Sequence, residues 1–295
     1  MRLDGRRESS NVDDRRRSGG GKKAGIGIGG LVIAALITWM MGGNPLSVLT
    51  QADLGSMLTE QSGGSYEPTA EEEALAKFSK QILAGTEDVW TQEFKKMGRT
   101  YRAPRLVLFH GSVQSGCGGA SSQMGPFYCS ADESVYIDLS FFSEMKQQLG
   151  ADGDFAYAYV IAHEVGHHVQ HLLGILDSAH QQMSRMSEKE SNRMSVRLEL
   201  QADFLAGIWA YHDNQMFNSL ENGDIEEGLN VASKIGDDYL QKQAQGYTVP
   251  DAFNHGTSAQ RVRWLKKGIN SGNVNDGDTF SQSYNELLDT KKDAL

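Results

Sequence analysis

Residues 155–172 read FAYAYVIAHEVGHHVQHL. Phe155, Tyr159, Ile161, Val165, Val169 and Leu172 recur at helical intervals and Gly174 supplies a stop, so the spacing predicts a mainly buried helix. Within it His163, Glu164 and His167 form an H-E-x-x-H sequence. Positions i and i+4 share a helix face, so the two imidazoles can supply two legs of a tetrahedral Zn²⁺ site, and Glu164 beside the first can reach a water on the metal. A surface histidine pair would show the same spacing. His168 and His171 point away from the His163/His167 face or lie a turn beyond it, and read as exposed or outside the ligand set.

Downstream, RLELQAD at 197–203 sets Glu199 and Asp203 on one face of a second helix, expected over Glu188 to Tyr211. Leu198, Leu200, Ala202, Phe204, Leu205, Ala206, Ile208 and Trp209 make that helix largely apolar, and carboxylates embedded there call for a cation. We therefore expect Glu199 as third zinc ligand and Asp203 as acceptor from the free ring nitrogen of a ligating histidine, His163. A third helix is expected over Ile225 to Gln245. An earlier one begins at Glu71, where Leu75, Phe78, Ile82, Val89 and Phe94 fall at helical spacing with acids first and lysines last. Leu106 to Phe109 and Val135 to Ile137 are β-prone runs between Gly/Ser clusters, which suggests a small antiparallel sheet in a mostly helical α+β domain.

The chain has 295 residues, is 39% hydrophobic and carries a net charge of −10. The charge is uneven: residues 1–23 hold eight basic and four acidic side chains, and residues 44–295 hold 20 basic against 34 acidic. So acidic a body disfavours binding to phosphate backbones, which argues against nucleic acid as a partner. Residues 24–43, AGIGIGGLVIAALITWMMGG, carry no charge and match the length of one membrane-crossing helix. A signal peptide competes with this reading, but the length and the lack of a clear A-x-A site favour an uncleaved signal-anchor in the lipid bilayer. Arg15, Arg16, Arg17, Lys22 and Lys23 would hold the N-terminus in the cytoplasm of a bacterial inner membrane and send the body to the periplasm. The expected organisation is a lightly structured basic head (1–23), the anchor (24–43), a flexible tether (44–70) and a catalytic domain (71–295). Cys117 and Cys129 are the two cysteines; an oxidising compartment permits a disulfide between them, two separate buried thiols being the alternative.

H-E-x-x-H followed by E-x-x-x-D resembles the gluzincin metallopeptidases, and its E-x-x-A-D form is similar to the branch with CaaX-type and heat-shock membrane proteases. More closely, GRRESSNV (5–12), SGCGGASSQMGPFYC (115–129), VYIDLSFF (135–142), GADGDFAYAYVIAHEVGHHVQ (150–170), RLELQAD and HGTSAQR (255–261) resemble the bacterial neutral zinc metallopeptidase family. The likeness spans nearly the whole chain except the tether and the C-terminal tail. It departs at Phe204, where relatives often carry a further cysteine. The resemblance implies a gluzincin-like domain that hydrolyses protein or peptide substrates with zinc and Glu164 as general base. His255 to Arg261 is similar to an H-x5-R motif following the third ligand in that branch. His255 would stabilise the oxyanion and Arg261 would orient carboxylates; the plainer reading of His255 is a loop residue before a helix capped by Thr257 or Ser258. The run 125–129 resembles the edge strand on which gluzincins lay an extended peptide, although it reads equally as a plain hairpin. A different class of function, an envelope scaffold or binding module with structural zinc, remains the alternative; an intact Glu164 favours the enzyme.

Overall fold

The structure is a computed structural model that describes residues 1–17 and 66–288. The expected anchor at 24–43 and most of the tether lie outside the described residues. Among those described, no helix is long and apolar enough to cross a membrane.

The first element is a short strand, β1 (Val12–Asp14), in the stretch expected to be lightly structured. That expectation is corrected. Arg16 is 3% exposed, Ser9 is buried, and Arg6 forks onto Asp213 with nitrogen–oxygen distances of 2.7 and 3.3 Å. The arginines look like a solvated charge run in the sequence, yet acids far along the chain pair with them.

Thr69 and Glu72 close a reciprocal capping box at the start of α1 (Ala70–Lys96), whose acids lead and lysines trail as the helix dipole favours. Ile82, Val89 and Phe94 are buried, with Leu75 and Phe78 packed at the margin of the core. Ordered chain precedes Glu71: Tyr66 stacks on His110 and its hydroxyl donates to Glu72.

Then come β2 (Arg105–Phe109), the hairpin β3 (Ser112–Ser115) and β4 (Gly118–Ser121), β5 (Phe127–Cys129) and β6 (Ser134–Asp138). The main sheet runs β1-β2-β6-β5 and is mixed, which corrects the expected antiparallel sheet. β1 and β6 lie parallel to β2, while β5 is antiparallel to β6 and ends one side of the sheet. The excursion between β2 and β6 is long enough to bring the chain back in the same direction, as a parallel pair requires. β3 and β4, joined by a tight turn, form a separate antiparallel hairpin, and β5 with β6 forms a second one, so the run 125–129 does enter a hairpin of the sheet.

The helical part comprises α2 (Ser140–Leu149), α3 (Asp154–Leu172), α4 (Ile175–Met183), α5 (Glu188–Phe217), α6 (Asp224–Lys234), α7 (Asp237–Gln245), α8 (Ser258–Ser271) and α9 (Tyr284–Leu288). α3 is the expected H-E-x-x-H helix. It packs on α5, α6 and α1 through Phe155, Tyr159, Ile161 and Val165, with Trp90, Trp209 and Trp264 filling the surrounding core. The expected third helix is two helices. Gly236 breaks it because a Cβ there would lie 2.1 Å from the amide nitrogen of Ser258, so the backbone must pass too close for any side chain. The break turns α7 toward the start of α8 and brings Asp237 beside His255.

Candidate metal centre

The helices that carry His163, His167 and Glu199 meet at Gly166 on α3 and Ala202 on α5. A Cβ on Gly166 would stand 3.0 Å from the Ala202 carbonyl oxygen, so the helices approach nearly backbone to backbone. The glycine inside the H-E-x-x-H sequence therefore has a packing reason: it lets Glu199, one turn before Asp203, reach both imidazoles.

His163, His167 and Glu199 converge, each offering one ligand atom within 4.8 Å of the others. His163 Nε2 is 3.2 Å from Glu199 Oε2, and His167 Nε2 is 3.3 Å from Glu199 Oε1. The two contacts run to the two oxygens of one carboxylate, and with one ligand atom from each residue within 4.8 Å of the others the cluster is compact enough to close on a single ion.

The outer hydrogen bonds fix which ring nitrogens are free. His163 Nδ1 donates to Asp203 Oδ1 at 2.8 Å, a carboxylate that accepts only. His167 Nδ1 lies 2.9 Å from Gln170 Oε1. The Gln170 amide nitrogen donates to the Leu198 carbonyl at 2.8 Å and to Gln201 Oε1 at 3.1 Å, so its oxygen must face the ring. Both Nε2 lone pairs thus confront one carboxylate. Three acceptors facing one another need a cation between them, proton or metal. The electrostatics say the same: burial opposes charge on His163, but Asp203 and Glu199 outweigh it and lift the imidazole to about 10. Burial likewise opposes charge on His167 and Glu199, yet their mutual attraction raises the imidazole and holds the carboxyl well below its usual range.

Asp203 is wholly buried and sits at the hub of a polar network. Besides His163 it accepts from the Tyr159 hydroxyl at 2.6 Å and from Arg261 Nε and Nη2, both at 2.9 Å. Burial would raise its pKa, but Arg261 and His163 outweigh it and the carboxyl stays ionised. Arg261 also approaches Glu199, with Nη2 4.0 Å from Oε2. Glu164 is 9% exposed, and burial raises its pKa against the pull of His163 and His167. That is the direction a proton acceptor working near neutrality needs.

His255 lies in the loop before α8, which Thr257 caps. Its ring Nδ1 is 3.1 Å from Asp237 Oδ1, its backbone N–H donates to Asp237 Oδ2 at 2.7 Å, and its side chain is 34% exposed. Asp237 and Glu199 together outweigh burial and raise its pKa. His168, read as exposed or outside the ligand set, is wholly buried. Burial lowers it to about 4, so it is neutral. Its Nε2–H donates to the Arg102 carbonyl at 2.6 Å, and Nδ1 accepts from the Tyr128 hydroxyl at 2.9 Å, tying α3 to β5. Cys117 and Cys129 form a disulfide with Cα atoms 5.8 Å apart, which fastens β5 to the start of β4.

Three residues at or beside the site escaped the sequence reading. Tyr159 registers there as core, which its ring is; its hydroxyl is what touches Asp203. Gln170 carried a usable signal, a polar side chain three residues beyond His167 on an otherwise apolar helix. Asp237 carried none, because the chain break that delivers it depends on contact with Ser258.

The sequence profile of a family described as "Putative neutral zinc metallopeptidase" matches residues 1–280. The chain belongs to that family. It is similar to the uncharacterized protein YpfJ of Escherichia coli K12, at 51% identity over 96% of this chain and all of that protein. It also resembles the uncharacterized protein Rv2575 of Mycobacterium tuberculosis H37Rv, at 42% identity over 61% of this chain and 64% of the relative. No solved structure matches the chain. The match covers the N-terminal residues 1–17 as well as His163, His167 and Glu199.

Proposed function

We propose that this protein is a zinc-dependent endopeptidase in which His163, His167 and Glu199 hold the ion and Glu164 is the general base. One observation supports this above the rest: two imidazole Nε2 atoms with fixed tautomers face the two oxygens of a single carboxylate, at 3.2 and 3.3 Å. The donor set also favours catalysis over a structural ion, because structural zinc is usually closed by four protein ligands, and the cluster found among the described residues has three.

Zinc, when bound, acidifies a water and polarises the scissile carbonyl. Glu164 takes the proton from the attacking water and hands it to the leaving amine, a transfer that its raised pKa suits. His255, braced by Asp237 and with its pKa raised by Asp237 and Glu199, donates a hydrogen bond to the oxygen that gains negative charge. Arg261 and Tyr159 hold Asp203, and Asp203 holds His163 in its metal-binding tautomer. β5, at one margin of the sheet and pinned by the disulfide, is the place for an extended protein or peptide substrate to add as a strand. Residues 24–43 serve in this reading as a lipid-bilayer contact, supported by their length without charge.

The test is Glu164→Gln in the purified protein. Retained zinc and thermal stability with loss of casein hydrolysis supports the assignment; undiminished hydrolysis refutes the base, and a parent protein that binds zinc without cleaving leaves a binding module.

A further inference from the structure

A single crossing at 24–43 would part the residues before it from the body after it. The described residues on either side are instead joined as one folded unit. β1 pairs with β2 in the register Val12↔Leu106, Asp13↔Val107 and Asp14↔Leu108, and Leu106 N–H donates to the Asn11 carbonyl at 2.8 Å. Glu87, on α1, accepts from Ser9 at 2.5 Å, Asn11 at 2.8 Å and Arg7 at 2.9 Å. Asp213, 1% exposed on α5, has Arg6 as its bidentate partner. Arg16 is buried against Asp14 and Glu73. The two ends that flank residues 18–65 also come together: Arg17 lies 3.8 Å from Glu67 and 3.2 Å from Glu73.

From this juxtaposition we infer that residues 1–17 and the catalytic body occupy the same compartment. Hydrogen bonds of about 3 Å cannot span a hydrocarbon core of roughly 30 Å. Were the arm on the other side, Asp213 and Glu87 would be buried acids stripped of their cations, and β2 would lose a strand neighbour. The acidic body is thus the counter-charge of the basic head and not its opposite across a membrane. The inference rests on the contacts of residues 1–17 and not on the reading of 24–43 as a bilayer contact, and it revises the sidedness that the arginine cluster alone suggested.

Single cysteines test it in the full-length chain expressed in Escherichia coli. In a Cys117→Ser, Cys129→Ser background the introduced thiol is the one that reacts with a membrane-impermeant maleimide, whichever compartment holds the body. Glu8→Cys reports an exposed site on the arm and Gln243→Cys an exposed site on the body. The expected result is matched behaviour: both label in intact spheroplasts, or both label only after lysis. Labelling of one in intact spheroplasts and of the other only after lysis overturns the inference. Ser9→Cys, at a buried position, should label at least tenfold more slowly than Glu8→Cys until urea is added; equal rates mean an undocked arm and also overturn it. Carbonate extraction reads the bilayer contact separately. Release into the soluble fraction with matched labelling removes the membrane reading while the shared compartment stands.

Discussion

Replacing Asp203 by Asn is the sharpest perturbation of this site, because it preserves shape and removes charge. Oδ1 accepts from Tyr159, His163 and Arg261, and Oδ2 accepts from Arg261 Nε. An amide keeps one acceptor oxygen, which settles where three donors converge. Its NH2 then faces the Nε–H of a guanidinium that is 4% exposed and has lost its counter-charge. Leaving one member of a buried pair unmatched costs about 3–5 kcal/mol, and the surviving acceptor places Asp203→Asn near the lower end. For a domain of this size that corresponds to a fall of about 6–12 °C in Tm, measured by calorimetry on zinc-stripped protein. Loss of the carboxylate behind His163 should also weaken zinc binding by about 10–100-fold in a chelator competition. Adding Arg261→Met removes the orphaned cation, so the double variant should be less destabilised than the two single changes added together. A Tm within about 2 °C of the parent, with unaltered zinc affinity, would refute the view that Asp203 organises both His163 and Arg261.

Further outcomes follow from the same geometry. Gln170→Leu should weaken zinc about 10–100-fold by freeing the His167 ring, with Glu164 untouched; chelator competition measures it. In the zinc-stripped protein His163 is raised to about 10, so its contribution to stability is complete below its unfolded pKa of 6.5 and is lost as pH climbs toward the folded value. Thermal unfolding of stripped protein should therefore weaken between about pH 6.5 and 10 more than that of loaded protein, and zinc binding should release protons, measurable by calorimetry in two buffers. Cys117→Ser should cost up to about 3 kcal/mol in denaturant unfolding, since the bridge closes a short loop.

The convergence of His163, His167 and Glu199 was legible because a helix fixes which side chains share a face: H-E-x-x-H and E-x-x-x-D each name a face from spacing alone. The network behind them was legible only where a charge stood out in an apolar run, as Asp203 does. Tyr159 and Gln170 act through one hydroxyl and one amide on side chains whose bulk is ordinary packing. Sheet direction was hidden because strand-forming runs do not specify partners, and the split between α6 and α7 because its cause, Ser258, lies far along the chain. The arm was misread for a related reason. Its arginines look solvated until Asp213, Glu87 and Glu73 are brought to them by the fold.

The contact between Gly166 and Ala202 sets a tolerance for the whole centre. Where two helices rest on side chains, repacking can absorb a changed volume; here the spacer is the main chain itself, with 3.0 Å between an added methyl carbon and a carbonyl oxygen. Even alanine at 166 acts as a shim, and because the imidazoles ride on one helix and the carboxylate on the other, its thickness would be felt as a change in the distance between His163, His167 and Glu199.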